Sequence, residues 1–170
     1  MKAIIRTLFV IVVISSISFT LSAQEKKSKK EIKQEKFDET FELINKGDFK
    51  FEAKRAFPQG GRSIDLTTNY GFISVKQDAA EGDLPYFGRA YTASYGGDGG
   101  IKFDGEMLDK KIEVNEKKHR VILSFEVRDK DTYKVTMDIG YNGNTSVSIT
   151  SNNRSHISYQ GEIKKIEKEE

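Results

Sequence analysis

The sequence predicts an all-β protein: an antiparallel up-and-down β-barrel preceded by one short helix. From residue 48 onward, apolar and polar residues alternate with a period of two, as in strands that bury one face. Short polar turns at 129–131, 140–144 and 151–154 separate the last four apolar segments, so neighbouring strands should pair as hairpins. About nine or ten strands result, enough to close a barrel and remove its exposed edges. A two-sheet β-sandwich is the alternative, because periodicity does not distinguish the two.

The predicted strands have one apolar face each, and the clearest lie in the C-terminal half. The inward positions there are Val121, Leu123, Phe125 and Val127, then Tyr133, Val135, Met137 and Ile139, then Val147 and Ile149, then Ile157, Tyr159 and Ile163. Earlier strands are predicted around Phe49, Ile64, Ile73, the segment 86–91, Ile101 and Ile112. Large inward residues predict a mostly filled interior.

The predicted helix lies just before the first strand. From about Glu31 the pattern turns helical: Phe37, Phe41 and Ile44 are spaced i, i+4 and i+7 on one face, and Gly47 follows as a C-terminal cap. We therefore expect one β domain with an N-terminal helix over residues 37–165. A charged spacer that does not fold is expected at 24–36, and a charged tail at 166–170.

Residues 1–23 have the pattern of a cleaved export signal. Lys2 and Arg6 precede the apolar run 8–14, and small residues end the segment at Ala23, before Gln24. The apolar run is too short for a spanning helix, which needs about 18 residues, so no stable membrane anchor is expected. The chain has no cysteine, which excludes a lipid-modified N-terminus. The predicted location is the periplasm or the outside of the cell.

Charge argues against nucleic acid as a partner. Lys2 and Arg6 would leave with the signal, which reduces the 28 basic residues to 26, equal to the 26 acidic residues. Nucleic-acid binding depends on clustered Lys and Arg that neutralise several phosphates. We expect no such partner for the mature chain.

The segment 84–105 interrupts the alternation. It places five aromatic residues among six glycines and a proline, which indicates a structured loop with a short strand on each side. Its glycines surround Asp98 but precede no Lys followed by Ser or Thr, so a phosphate-binding loop is not indicated.

Three segments together resemble the DUF4251 family, exported bacterial proteins of unknown function. They are 56–70 (AFPQGGRSIDLTTNY), 83–105 with the run LPYFGRAY, and 149–161 (ITSNNRSHISYQG). The resemblance extends from about Phe41 to Ile163. It implies a lipocalin-like barrel and an export signal, and it brings no activity, cofactor or catalytic residue.

The candidate binding residues belong to this aromatic segment and to the arginines near it. We expect a site at the barrel mouth formed by Arg62, Tyr86, Arg89, Tyr91, Tyr95 and Asp98. Arg89 is also expected to pair with Asp65, Asp83 or Asp104, since a buried guanidinium needs a partner.

Catalytic patterns are weak. Asp83, Asp98 and Asp104 beside aromatic residues are compatible with glycan hydrolysis, but Asp is also common where strands end. His156 and Ser158 share a strand face without the glycine-flanked elbow of a nucleophilic serine. No catalytic residue, metal site or cofactor is predicted. The preferred hypothesis is a non-enzymatic barrel that binds a small ligand or a cell-envelope component, in an oligomeric state that the sequence does not indicate. The alternative is an envelope hydrolase acting on glycan or peptide through the three aspartates.

Overall fold

The computed structural model describes residues 27–91 and 99–166. The predicted signal, most of the charged tail, Tyr95 and Asp98 lie outside these ranges. The described part contains one helix and ten strands. Their bounds are α1 Lys29–Lys46, β1 Asp48–Pro58, β2 Ile64–Asp65, β3 Gly71–Lys76, β4 Ala79–Leu84, β5 Ile101–Glu106, β6 Leu108–Asn115, β7 Arg120–Arg128, β8 Thr132–Gly140, β9 Asn144–Ser151 and β10 Ile157–Lys165.

Nine strands form a nearly closed antiparallel up-and-down barrel, as predicted. Their order is β5-β4-β3-β1-β10-β9-β8-β7-β6, and β2 pairs with β1 alone. The first and last strands are neighbours, from Phe49 opposite Lys165 to Pro58 opposite Ile157. The sheet's two edges are β5 and β6, which follow each other in the chain. Gly105 of β5 packs against Val127 of β7, which brings that edge of the sheet close to the other.

The barrel interior is filled by side chains, which confirms that prediction. The largest fully buried side chains are Tyr159, Phe49, Phe51, Phe103, Ile44, Leu66, Ile73, Leu84, Ile101, Leu123, Met137 and Ile139. They belong to one continuous apolar cluster that includes residues of the helix. Burial of this cluster is the main favourable term for folding.

The helix begins at Lys29, two residues before Glu31, where the sequence turns helical. Ser28 and Glu31 form a capping box: the Glu31 amide donates to Ser28 Oγ (3.2 Å), and the Ser28 amide donates to Glu31 Oε2 (2.7 Å). The assignment of 24–36 to a spacer therefore needs correction over residues 29–36. The charged composition did not predict this part of the helix, because the capping box stabilises the first turn and the buried side chains of Phe37 and Ile44 hold the later turns against the barrel. Gly47 ends the helix in the left-handed region, at φ 61°, as predicted.

Helix α1 covers one end of the barrel, called here the helix end. Thr40 Oγ1 donates to the Tyr141 carbonyl in the β8–β9 turn (3.0 Å), and Phe37 meets the His119 ring of the β6–β7 turn edge-on at 5.4 Å. Next to the helix, the Gln77 amide of the β3–β4 turn donates to the Gly47 carbonyl (2.5 Å). The opposite end, the loop end, is formed by the connections after β1, β4, β7 and β9.

One predicted strand was misplaced. Residues 86–91 form no strand among the described residues, apart from a single bridge between Ala90 and Arg154; the strand there is β4, at 79–84. Its inward residues are Ala80, Gly82 and Leu84, and small residues give a weak alternation signal. Gly82 is required because a Cβ atom there would collide with the Phe103 ring.

Candidate binding site at the loop end

The segment 85–91, called here the mouth segment, is held against the β9–β10 connection. The Tyr91 amide donates to the Asn153 carbonyl (2.8 Å), and the Ser155 amide donates to the Arg89 carbonyl (2.9 Å). The Asn153 amide in turn donates to Asp131 Oδ2 of the β7–β8 turn (3.3 Å). Three connections of the loop end are thus joined by backbone donors, which gives the mouth segment a defined position without regular strand structure.

The Tyr86 hydroxyl lies at the centre of this arrangement. It donates to the Arg89 carbonyl (2.8 Å) and lies within hydrogen-bond distance of the Ser155 carbonyl (3.1 Å) and the Ser155 hydroxyl (2.9 Å). Gly88 is needed here, because a Cβ atom would lie against the Tyr86 and Ser155 oxygens. The Arg154 guanidinium lies 5.0 Å from the Tyr86 ring centroid and donates to the Gly99 carbonyl. The Tyr86 hydroxyl therefore stabilises the loop rather than facing a ligand.

A second tyrosine holds the start of the mouth segment from the barrel interior. The buried Tyr159 hydroxyl donates to the Pro85 carbonyl (2.9 Å). Burial raises the pKa of Tyr159 well above its usual range, and Tyr86 adds to this increase. Tyr159 is therefore a neutral donor at physiological pH.

Beside the mouth segment lies an aromatic cleft of about 300 Å³, formed by Asn69, Tyr70, Asp83, Leu84, Pro85, Tyr86, Phe87 and Gly100. Tyr70 is 84% exposed and Phe87 is 38% exposed. The Asp83 carboxylate on the cleft wall lies 3.3 Å from Lys102 Nζ. Exposed rings beside an amide and a carboxylate can stack on a ligand and orient it by hydrogen bonds.

The structure brings some of the predicted site residues together and separates others. Tyr86, Arg89 and Tyr91 all belong to the mouth segment, and Tyr91 is 68% exposed. Arg62 is exposed in the connection after β1, and among the described residues no hydrogen bond or ion pair links it to that segment. Tyr95 and Asp98 lie outside the described residues. The sequence-based site omitted Phe87 and Asn69, although Phe87 stands within the same aromatic run.

Among the described residues, Arg89 forms none of the ion pairs predicted for it with Asp65, Asp83 or Asp104. Asp65 accepts from Thr67, Asp83 faces Lys102, and Asp104 is an exposed residue of β5 opposite Glu81. Arg89 is exposed, so its guanidinium keeps its hydration and needs no carboxylate. Its recorded contacts are made by backbone atoms alone: the carbonyl described above, and the amide, which donates to Ser155 Oγ (3.1 Å).

Other reactive side chains do not form a recognisable catalytic group in the described ranges. His156 Nε2 lies 2.8 Å from Ser148 Oγ on the exposed surface, so its recorded partner is not Ser158. His119 is half-buried at φ 53°, packed against the helix rather than free in solvent as a turn residue. Within 27–91 and 99–166, no three His, Asp or Glu residues are placed to hold a metal ion. The one helix in these ranges is not apolar enough to cross a membrane.

Fold and surface together define a small up-and-down β-barrel with a filled interior and an exposed cleft at its loop end. The model of the family described as Domain of unknown function (DUF4251) matches residues 31–163, and the chain belongs to this family. A crystal structure of a DUF4251 family protein from Bacteroides eggerthii DSM 20697 is similar, with a TM-score of 0.61 and 20% sequence identity. The similarity covers 78% of this chain and 89% of that one and concerns the fold. No curated protein matches the chain.

Proposed function

We propose that this chain is an exported, non-enzymatic binding module that recognises a small ligand or a cell-envelope component through the aromatic cleft. The main support for this proposal is that the barrel interior is filled while the rings of Tyr70 and Phe87 are exposed in the cleft. In the described part of the chain the barrel interior is packed with side chains, which favours recognition on the surface. Exposed aromatic side chains gathered at one place favour an interaction site.

The mouth segment supports the proposal through its rigidity. Tyr86 and Tyr159 fix it from two sides, which lowers the entropy lost when a partner orders the cleft. Recognition residues on such a scaffold should be separable from the residues that maintain it. Tyr70, Phe87 and the Arg89 side chain belong to the first group, and the Tyr86 hydroxyl belongs to the second.

Affinity purification of the tagged protein from its own envelope extract tests the proposal. The parent should retain a ligand or partner that the double variant Tyr70→Ser, Phe87→Ser loses, with little change in the urea midpoint. Arg89→Ala should also keep the stability of the parent to within about 0.5 kcal/mol, because its backbone contacts persist. If both variants retain the same material as the parent, the cleft is not the recognition surface.

The hydrolase alternative is assayed with the same proteins. Envelope glycan and peptide fractions are incubated with the parent, Asp83→Asn and Asp104→Asn, and released fragments are measured. We expect no release by the parent. Release that either variant abolishes would replace the binding proposal with the enzymatic one.

A further inference from the structure

A larger depression lies on the outer wall of the barrel, away from the loop end, and is called here the wall groove. Its volume is about 600 Å³, within the range of small-molecule sites, roughly 300–1,000 Å³. The outward side chains of Gln160, Ser146 and Asp138 are direct cross-strand neighbours on β10, β9 and β8, and they form its floor. Gly140 and Gly161 also line the groove without side chains to fill it.

A β-bulge supplies one wall of the groove. The β1–β10 register shifts between Ala53 and Arg55, so Lys54 and Arg55 both stay exposed between the buried Ala53 and Ala56. In a regular strand, consecutive side chains point to opposite faces, and a bulge changes that direction. Gly161 stands opposite the bulge, where a Cβ atom would collide with the Glu52 carbonyl. Two adjacent cations thus face the same groove.

The charges lining the wall groove are unbalanced. Five cationic residues line it, Lys33, Lys54, Arg55, Lys118 and Arg120, against the single carboxylate of Asp138. That carboxylate is already bound by Arg120, from Nε at 2.8 Å and from Nη2 at 2.5 Å. Lys54 is paired with Glu162 at 2.6 Å, and Lys33 Nζ lies over the Tyr141 ring at 5.1 Å.

Arg55 and Lys118 remain as cations for which no ion pair is recorded in the described part of the chain. Arg55 has Asp65 as its cross-strand neighbour on β2, and its positive charge contributes to lowering the pKa of that carboxyl, after the hydrogen bonds from Thr67. No salt bridge within 4.0 Å joins Arg55 to Asp65. Both Arg55 and Lys118 are exposed, so each can reach an anion without losing an existing partner.

Neutral polar groups complete the lining. Asn142, Asn144 and Gln160 contribute side-chain amides, each with donors and an acceptor. His119 also lines the groove, and its Nδ1 atom is buried without a hydrogen-bond partner in the part of the chain that the structure describes.

We propose that the wall groove binds a small acidic sugar, that is, a sugar carrying a carboxylate, phosphate or sulfate group. Arg55 at one side of the groove and Lys118 at the other are the two cations that can hold the anion by a charge-assisted hydrogen bond, and the amides of Asn144 and Gln160 bind the hydroxyl groups. A small anion alone would leave the amides unused, and an apolar ligand would have to desolvate the cations. This site is independent of the aromatic cleft, since the two share no lining residue.

Backbone amide NMR titrations at low salt test the assignment, with glucuronic acid, glucose 6-phosphate, glucose 6-sulfate, neutral glucose and inorganic phosphate as probes. We expect at least one acidic sugar to shift amides near residues 138, 146 and 160, and to bind more tightly than glucose or phosphate. Which acidic sugar binds best identifies the anionic group. If no acidic sugar shifts these amides, or if none binds more tightly than neutral glucose and inorganic phosphate, the proposal is wrong.

Variants separate the site from general charge effects. Whichever of Arg55→Gln and Lys118→Gln removes the cation that holds the anion should weaken binding at least about fivefold, as expected when a charge-assisted hydrogen bond is lost, and binding equal to the parent in both variants would overturn the site. Ser146→Tyr should block binding by filling the floor of the groove, and circular dichroism verifies that it folds. Lys130→Gln, an exposed lysine of the β7–β8 turn, is the matched control and should bind like the parent. An equal loss in Lys130→Gln would indicate nonspecific attraction and overturn the site.

Discussion

Removing a single oxygen from Tyr86 tests whether the mouth segment is held as described. In Tyr86→Phe the ring stays and the Arg154 guanidinium can still lie over it, while the hydrogen bonds to the Arg89 carbonyl and to Ser155 disappear. The hydroxyl has one hydrogen to donate, so the loss amounts to one donated bond and about one accepted bond. At about 0.5–1.5 kcal/mol net per bond, the free energy of unfolding should fall by about 1–3 kcal/mol.

Urea denaturation measures the global loss, and hydrogen exchange measures the local one. The amides of Tyr91 and Ser155 should exchange faster in Tyr86→Phe, because they pair across the same junction, whereas core amides such as that of Leu123 should change less. Tyr70→Phe is the matched control: its hydroxyl belongs to a side chain that is 84% exposed, and its effect should stay within about 0.5 kcal/mol. Equal stability and equal exchange in the two variants would refute the role assigned to Tyr86.

Two further predictions concern the helix end and the outer wall. Gly47→Ala should destabilise the protein by more than Gly60→Ala: both residues have positive φ, which costs about 1–2 kcal/mol for alanine, but only at Gly47 would the new Cβ meet backbone, at 3.1 Å from Gln77. Equal losses in urea would show that the crowding against Gln77 is unimportant. Hydrogen bonds from Lys54 and then Lys164 lower the pKa of Glu162, so the unfolded chain binds its proton more readily than the native protein does. The stability that Glu162 adds should be present above its ordinary pKa of 4.5 and be lost as the pH falls through the lower native value. Because the Glu162 side chain is partly exposed and both lysine partners are mostly exposed, the difference in unfolding free energy between parent and Glu162→Gln should be under about 1 kcal/mol at pH 7 and shrink toward pH 3. A difference that persists at pH 3 would contradict this.

The strands were predictable where large apolar residues alternate with polar ones. In β7 to β10 most inward positions carry large apolar residues, and Thr145, Ser151 and Gly161 are exceptions, so the period of two is plain. Strand β4 was missed because Ala80 and Gly82 are small for a reason that lies elsewhere in the chain: the Phe103 ring of β5 occupies the space above Gly82. Barrel closure was anticipated from the number of strands, but the β1–β10 pairing that joins the two halves of the sheet connects distant parts of the chain, from Phe49 with Lys165 to Pro58 with Ile157.

The candidate sites were predictable only in part, because each depends on a contact between distant segments. The aromatic run around residue 87 indicated the right region, but the sequence does not reveal that Ser155 meets the Tyr86 hydroxyl and so removes it from the recognition surface. The wall groove depends on the bulge at Lys54 and on the register of four strands. Neither leaves a local signal, since Lys54 and Arg55 look like an ordinary charged pair in the sequence.

The filled interior constrains both proposals in the same way. The inward side chains stabilise the fold, so a recognition surface can change only on outward positions and connections. The aromatic cleft uses the connections at the loop end, and the wall groove uses outward residues of β1 and β8 to β10 near the helix end. Strand β1 contributes Lys54 and Arg55 to the groove through its bulge, while Phe49 and Phe51 of the same strand are buried in the barrel interior. Loss of binding at one surface should therefore leave binding at the other unchanged, and a variant that removes both at once has altered the barrel itself.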